Sequence, residues 1–357
     1  MPYYSREQLD QTNLHFIIGS NRSGTTLLTT ILNAHPQVFA TPEMRFVMAL
    51  HNPYSYKNKL SPRIATDIRQ YVTLLFNSEN TNEQINAWRK LISFDEQVLL
   101  NFDLTSLDDF DYASISKLLL LNLRVSNKDT SHVKTIVDKN PNYIFYVKQL
   151  IRLYPTAKFL VAIRDYRAVL LSTKQSGHKK GELLKNMFRW KWENQEIWKL
   201  HQQFPNKLLL IPYEQLSTSP KVVINNVCNF IGIEFDENML QHNKKIQDAS
   251  ETKIYNKRTQ KIVSELAKPI NTSRVDAWKT QLSEQEIAIA DLICGNIGSK
   301  FGYAPISKKN SYKKMLFYLQ NSFQIIKQQL NFSIFIKYYF LLSFSTRLWL
   351  SKFFRIK

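Results

Sequence analysis

Negative charge runs out before the chain does. Against 48 lysines and arginines stand 29 aspartates and glutamates, and after Asp291 no acidic residue remains while eleven basic ones follow. The resulting net charge of +19 fits a site for a multiply anionic ligand, and the tail needs a separate explanation. Cysteine is nearly missing. Cys228 and Cys294 make no disulfide framework and match no metal-ligand spacing, which fits a reducing compartment. Residues 1–11 are polar, without an apolar stretch, so neither a signal peptide nor an N-terminal membrane anchor is expected and the cytoplasm is the predicted location. No uninterrupted apolar run in the tail approaches the ~20 residues of a spanning helix. At 357 residues the chain can bury a full core, as one large α/β domain or one domain with an insertion.

What the sequence does contain is concentrated near its start. The apolar run Leu14-His15-Phe16-Ile17-Ile18 breaks into a loop bounded by Gly19 and Gly24, and a helical pattern follows from Thr25. Glycines at both ends allow a tight turn with inward N–H groups, and the helix start adds its own free N–H groups and positive dipole end. Such a cup holds an anion. The spacing is that of a nucleotide P-loop, but Thr25-Thr26 stands where a nucleoside-triphosphate site has Lys followed by Ser or Thr. That lysine reaches the β/γ phosphates and the hydroxyl after it holds Mg²⁺, so its absence predicts a single phosphate-like anion here and no metal. Arg22, inside the loop, supplies a fixed positive charge instead.

The loop Arg22-Ser23-Gly24-Thr25-Thr26-Leu27 after a first strand resembles that of the sulfotransferases that use 3′-phosphoadenosine 5′-phosphosulfate. Asn33-Ala34-His35-Pro36 and Pro42-Glu43-Met44-Arg45 fall at the spacing of the tyrosylprotein sulfotransferases and their bacterial relatives. The resemblance implies that the loop grips the 5′-phosphosulfate, with Arg22, Ser23, Gly24, Thr25, Thr26 and Leu27 as contacts. It implies that Glu43 is the general base, which suits an in-line displacement in which the acceptor hydroxyl must lose its proton. Arg45 is the implied acceptor-side residue. Lys139, in Asp138-Lys139-Asn140-Pro141, matches the family lysine that stabilises charge on the departing phosphate oxygen. Arg164 and Ser172 keep the family interval for holding the 3′-phosphate, and Tyr213, in Pro212-Tyr213-Glu214-Gln215-Leu216, is expected near the nucleotide.

There are departures. A further arginine of the group falls on Ser176, leaving Lys174 as a substitute, and Tyr166 stands where a small residue or proline is common. A lysine before the later tryptophan is Ala277, with Arg274 and Lys279 as replacements.

Along the chain, residues 25–33 read as a helix, 38–40 as a strand, and 133–137, 158–163 and 207–211 as further strands. Between 51 and 132 the pattern is helical without convincing strands: Ser61-Pro62 starts one helix, Thr81 with Gln84 caps another carrying Ile85, Trp88 and Ile92, and 114–123 forms a third. Helices are also predicted over 142–153, over 183–201 with its aromatics packing as core, from Ser219-Pro220 to Gly232, and from a Ser283/Glu286 capping box to residue 293. His15, His35 and His51 compete with Glu43 as bases, but His15 lies within the first strand and His35 ends a helix.

The expected architecture is a three-layer α/β P-loop-type fold over residues 1–306, with a central mostly parallel sheet and a helical insertion at about 51–132. A basic aromatic extension, 307–357, is expected as an amphipathic helix on an anionic membrane surface. The expected function is transfer of a sulfuryl group from 3′-phosphoadenosine 5′-phosphosulfate (PAPS) to a hydroxyl acceptor, peptidyl tyrosine or phenol, carbohydrate or lipid, with neither metal nor nucleic acid involved. The rivals are a P-loop kinase-like nucleotide-binding protein and an inactive membrane-associated scaffold.

Overall fold

The computed structural model describes residues 6–41, 47, 92–94, 111–121, 123–125, 132–176, 180–243 and 267–307. Its strands are β1 (Asn13–Gly19), β2 (Val38–Thr41), β3 (Ile92–Phe94), β4 (Leu123–Val125), β5 (Thr135–Lys139), β6 (Phe159–Ile163) and β7 (Leu208–Pro212). The helices are α1 (Arg6–Gln11), α2 (Thr25–Asn33), α3 (Tyr112–Leu121), α4 (Val147–Leu153), α5 (Tyr166–Gln175), α6 (Lys180–Gln203), α7 (Tyr213–Thr218), α8 (Pro220–Ile231), α9 (Trp278–Gln281) and α10 (Glu284–Ser299).

Five strands form a parallel sheet in the order β2-β5-β1-β6-β7. Its central strand β1 is buried at every position after Asn13, as a parallel strand covered on both faces must be. Alternation then assigns the faces. Leu14, Phe16 and Ile18 join Ile136, Phe159 and Val161 in a core under α1, α3, α4 and the end of α6, while Ile17 joins Val137 and Leu160 under α2 and α8. Phe16 anchors the first of these, stacked on Phe159 at 5.3 Å between ring centroids and edge-on to Tyr143 at 6.0 Å.

Connections from β1 run toward β2, and those from β6 run toward β7. Adjacent strands whose chains depart in opposite directions open a crevice at their carboxyl ends, where open α/β sheets bind ligands. Gly19 closes β1 at that point with φ +146°, and a Cβ there would lie 2.3 Å from the Ala162 carbonyl oxygen. No side chain fits between β1 and β6 at this level.

A satellite core joins α5, α6, α9 and α10 through Tyr166, Trp190, Trp278 and Cys294. It explains one departure from the family pattern. Tyr166 is fully buried because Gly298 on α10 leaves room: a Cβ on Gly298 would come within 2.5 Å of its ring. Its hydroxyl donates to Asp291 at 2.6 Å, and Arg167 fills the space between Asp165 and Asp291. The other Asp291 oxygen accepts the N–H groups of Ile306 and Ser307, fixing the last described segment against α10.

Several sequence expectations need adjusting. The segment read as purely helical contains an antiparallel strand pair, β3 with β4, and Ile92, assigned above to a helix face, begins β3. Three-residue strands are too short to display a period of two against neighbouring helical patterns. The helices proposed from Ser61-Pro62 and Thr81, and the 308–357 extension, lie outside the described residues. The 142–153 helix is a 3-10 turn, Pro141–Tyr146, running into α4, because Asn140 caps the Asn142 N–H and Pro141 takes the first helical position. Gly232 ends α8 in the left-handed region, and the Ser283/Glu286 capping box starts α10, which runs on to Ser299.

His15 sits in β1 with its Nδ1 accepting the Lys158 N–H at 3.2 Å. Burial pushes its pKa down to about 4, and the nearby charges of Lys158 and Lys207 act in the same direction. Burial likewise lowers His242 to about 4. A histidine depressed in the folded state binds fewer protons than its unfolded counterpart between pH 6.5 and 4, so its contribution to stability is complete above 6.5 and is lost as pH falls through that window. Urea unfolding at pH 7 and pH 5 is therefore expected to show a lower midpoint at pH 5. His15→Gln is expected to reduce the difference between the two.

Candidate active site

The loop between β1 and α2 is held by backbone geometry. Gly24, the N-cap residue of α2, takes φ 93°, and Arg22, with φ 68°, is the one non-glycine residue at positive φ among the described residues. Left-handed backbone at an arginine costs on the order of 1 kcal/mol or more and persists only where the surroundings enforce it. The Ser23 N–H donates to the Ser20 carbonyl, closing the turn. Gly24 offers no side chain to cap α2, so the first N–H groups of the helix are not consumed by a cap and stay at the crevice.

Arg164 provides the enforcement. It follows β6, is 5% exposed, and donates Nη1 to the Arg22 carbonyl and Nη2 to the Arg274 carbonyl, both at 3.0 Å. Its guanidinium stacks on Tyr213, 4.0 Å from the ring centroid, and the same ring fills the space where a Gly24 side chain would be, 2.6 Å from an ideal Cβ. Burial pulls the Arg164 pKa down, opposed by Tyr213 and Glu214, and an arginine so placed remains charged. Arg164 thus lies beneath the loop and ties it to the 267–277 segment. Arg22 in turn donates Nε to Ser172 on α5 at 2.9 Å, so this serine accepts from the loop arginine.

Beside the loop, on the strand next to β1, β5 ends in Lys139, which is 4% exposed. Two bonds fix the strand end: the Asn140 N–H donates to the Ile17 carbonyl, and the Thr41 hydroxyl donates to Asp138 at 2.9 Å. The second fixes the end of β2 two residues before Glu43. Glu43 and Arg45 themselves lie outside the described residues.

Between these parts lies a cavity of about 340 Å³. Ser20, Asn21, Arg22, Thr25, Thr26 and Lys139 line it from the loop and β5, and Val169 and Thr173 from α5. Of the residues singled out in the sequence, Arg22, Thr25, Thr26 and Lys139 border this cavity. Ser23, Gly24, Leu27, Arg164, Ser172 and Tyr213 do not: Ser23 is buried within the loop, Leu27 packs toward the sheet, and the others form the support just described. Of the residues offered as replacements, Lys174, for the missing arginine, is engaged with Glu286 at 2.7 Å, and Lys279, for the missing lysine, with Asp276 at 2.9 Å.

The fourth wall went unread in the sequence. Asn186, Arg189, Trp190 and Glu193 of α6 all face the cavity. They follow the i, i+3, i+4, i+7 spacing of a single helix face, a signal masked by the aromatics Phe188, Trp190, Trp192 and Trp198, which suggested core packing. Arg189 donates Nε to Glu193 at 2.6 Å and Nη2 to Asn142 at 2.8 Å, and the neighbouring Asn194 donates to the Ser20 hydroxyl at 2.8 Å. Helix α6 is thereby attached to both the loop and the turn after Lys139. The wall residues are predominantly cations and hydrogen-bond donors, and the chemistry they suit is the binding of a phosphate- or sulfate-like group.

Comparison with known proteins agrees. A sequence model of the sulfotransferase family matches residues 15–237. A putative protein-tyrosine sulfotransferase of Caenorhabditis briggsae is 26% identical over 307 residues, covering 84% of this chain and 92% of that protein. Protein-tyrosine sulfotransferase 1 of Danio rerio is 22% identical over 308 residues, covering 84% and 74%. Among solved structures, the sulfotransferase domain of the curacin biosynthetic pathway superposes with a TM-score of 0.53 at 20% identity, over 83% of this chain and 99% of that one. The sulfotransferase domain of the Synechococcus PCC 7002 olefin synthase gives 0.50 at 19%, over 79% and 94%. At such identities the structures establish a shared fold, while the family match spans the sheet, the loop and the cavity walls. With most of β1, the loop that follows it, Lys139 and α6 inside the matched stretch, this chain belongs to the sulfotransferase family.

Proposed function

We propose that the protein transfers a sulfuryl group from PAPS to the hydroxyl of a peptidyl tyrosine. The observation that carries this reading is the convergence of Arg22, Thr25, Thr26 and Lys139 on one cavity at the carboxyl end of the sheet. The donor set fits the co-substrate: an uncapped helix start with a cationic loop at one anion, and a lysine at the end of the neighbouring strand. The names of the relatives in Caenorhabditis and Danio favour the tyrosine acceptor over a carbohydrate or lipid hydroxyl.

In the reaction so proposed, the acceptor oxygen forms a bond to sulfur as the bond from sulfur to the 5′-phosphate oxygen breaks, and the electron pair leaves on that phosphate oxygen. Lys139 neutralises the charge that builds there, from a strand end already fixed by Asn140 and Asp138. Arg22 and the α2 N–H groups hold the anionic end of the donor. Glu43 takes the proton from the acceptor hydroxyl, and the anchored Thr41 supports this role by bringing the chain to the crevice just before it. Arg164 acts through the loop, keeping the Arg22 carbonyl turned inward. Arg45 orients the acceptor. We place the protein in the cytoplasm, with its basic tail against an anionic membrane surface; among the described residues no helix is long and apolar enough to cross a membrane.

Calorimetry with adenosine 3′,5′-bisphosphate and with ATP tests the reading directly: binding of the bisphosphate is expected, whereas tight ATP binding without it points to a kinase-like site and rejects it. Lys139→Ala is expected to lower kcat by about 10²–10³-fold while leaving bisphosphate affinity within a few-fold. Glu43→Gln is expected to lower it by about 10²–10⁴-fold, and unchanged sulfation of a tyrosine peptide by that variant would remove Glu43 from its role. Gly24→Ala forces a side chain into the left-handed region and into the Tyr213 ring. Bisphosphate affinity is expected to fall about tenfold or more, and adding Tyr213→Ala is expected not to restore it, because the backbone strain persists.

A further inference from the structure

The cavity wall formed by α6 contains an ion pair that neither helix stability nor the loop requires. Arg189 precedes Glu193 by one helical turn, the orientation opposite to the one that best stabilises a helix. A buried ion pair is in any case weak evidence for stability. The two partners are unequally enclosed: the Glu193 side chain is 2% exposed and that of Arg189 30%. Both border the cavity, and the guanidinium is the more accessible of the two. Asn142, three residues beyond Lys139, fixes the guanidinium a second time from a different element. Held at Nε and at Nη2, Arg189 is oriented before any ligand arrives, which is the condition under which a charge stabilises a transition state without reorganisation. The neighbouring Trp190 borders the same cavity while its ring packs edge-on to Tyr166 in the satellite core.

We infer that Arg189 is a further catalytic residue, contacting the oxygens of the sulfuryl group in flight from the α6 wall, and that Glu193 is its positioning residue. This rests on the sulfuryl-transfer reading above. Three cations from three elements would then surround the transferring group: Arg22 from the loop, Lys139 from β5 and Arg189 from α6. The bond changes are those of the proposed reaction, and Arg189 gives up no proton. It offers planar donors to oxygens whose charge is redistributed as sulfur passes between them.

The test uses the full chain, with bisphosphate binding by calorimetry and sulfation of a tyrosine peptide at saturating donor. Arg189→Gln is expected to lower kcat by about 10²-fold with the bisphosphate Kd within about threefold of the parent, since the bisphosphate lacks the sulfuryl group. Arg189→Lys, which keeps the charge without the fork, is expected to fall between the two. Guanidinium ion added to Arg189→Ala is expected to restore part of the rate, which a purely structural role would not allow. Glu193→Gln, if Glu193 positions Arg189, is expected to lower kcat about tenfold and to leave the donor KM unchanged. A folded Arg189→Gln protein with kcat within twofold of the parent overturns the inference, and so does a bisphosphate affinity that falls in parallel with kcat. Should the parent neither bind bisphosphate nor sulfate the peptide, the sulfuryl-transfer reading itself fails, a result distinguishable from either.

Discussion

The guanidinium of Arg164 is the constraint on which the rest of the crevice depends. It is a buried charge whose hydrogen bonds go to two backbone carbonyls and whose face lies on an aromatic ring. Desolvating an arginine costs several kcal/mol unless its donors are satisfied. Here the Nη donors are met by the Arg22 and Arg274 carbonyls and the Tyr213 ring covers the face, while Nε has no acceptor among the described residues, so the charge, the loop, the 267–277 segment and the start of α7 are mutually dependent. The left-handed backbone of Arg22 is sustained by this arrangement. That backbone directs the Arg22 carbonyl to Arg164 while the side chain reaches Ser172, joining the loop to the end of β6 and to α5.

A second level of organisation lies outside the sheet. The cluster of Tyr166, Trp190, Trp278 and Cys294 packs α5, α6, α9 and α10 together, and Asp291 receives the Tyr166 hydroxyl and two backbone N–H groups of the chain that follows α10. Both helices that wall the cavity, α5 and α6, are thus braced from behind by the C-terminal part of the domain. Cavity shape is therefore a property of residues far apart in sequence.

Much of this was legible beforehand, in an uneven way. The apolar run of β1 ending in Gly19, the continuous apolar β6 ending in Arg164, the Gly232 helix stop and the Ser283/Glu286 capping box each encode a local rule, and each element formed as expected. Arg22, Thr25, Thr26 and Lys139 were identifiable from motif and spacing and do border one cavity. Less legible was direction. Motif spacing places Arg164 at the crevice but cannot reveal that its donors turn to carbonyls beneath the loop. The α6 wall escaped because its polar stripe shares a helix with four bulky aromatics, and composition there suggests burial more strongly than function. The β3 and β4 pair escaped because a three-residue strand draws its stability from a partner about thirty residues away rather than from local pattern.

Gly19 has a bearing on how such a site can change. With the Ala162 carbonyl where its side chain would be, the gap between the two middle strands is set by main chain touching main chain. A methyl group inserted there would act as a wedge at the root of the crevice, so the floor of the site has no room for adjustment. Variation in what the crevice accepts is then left to the side chains of its walls, above a pair of strands whose separation is already at its limit.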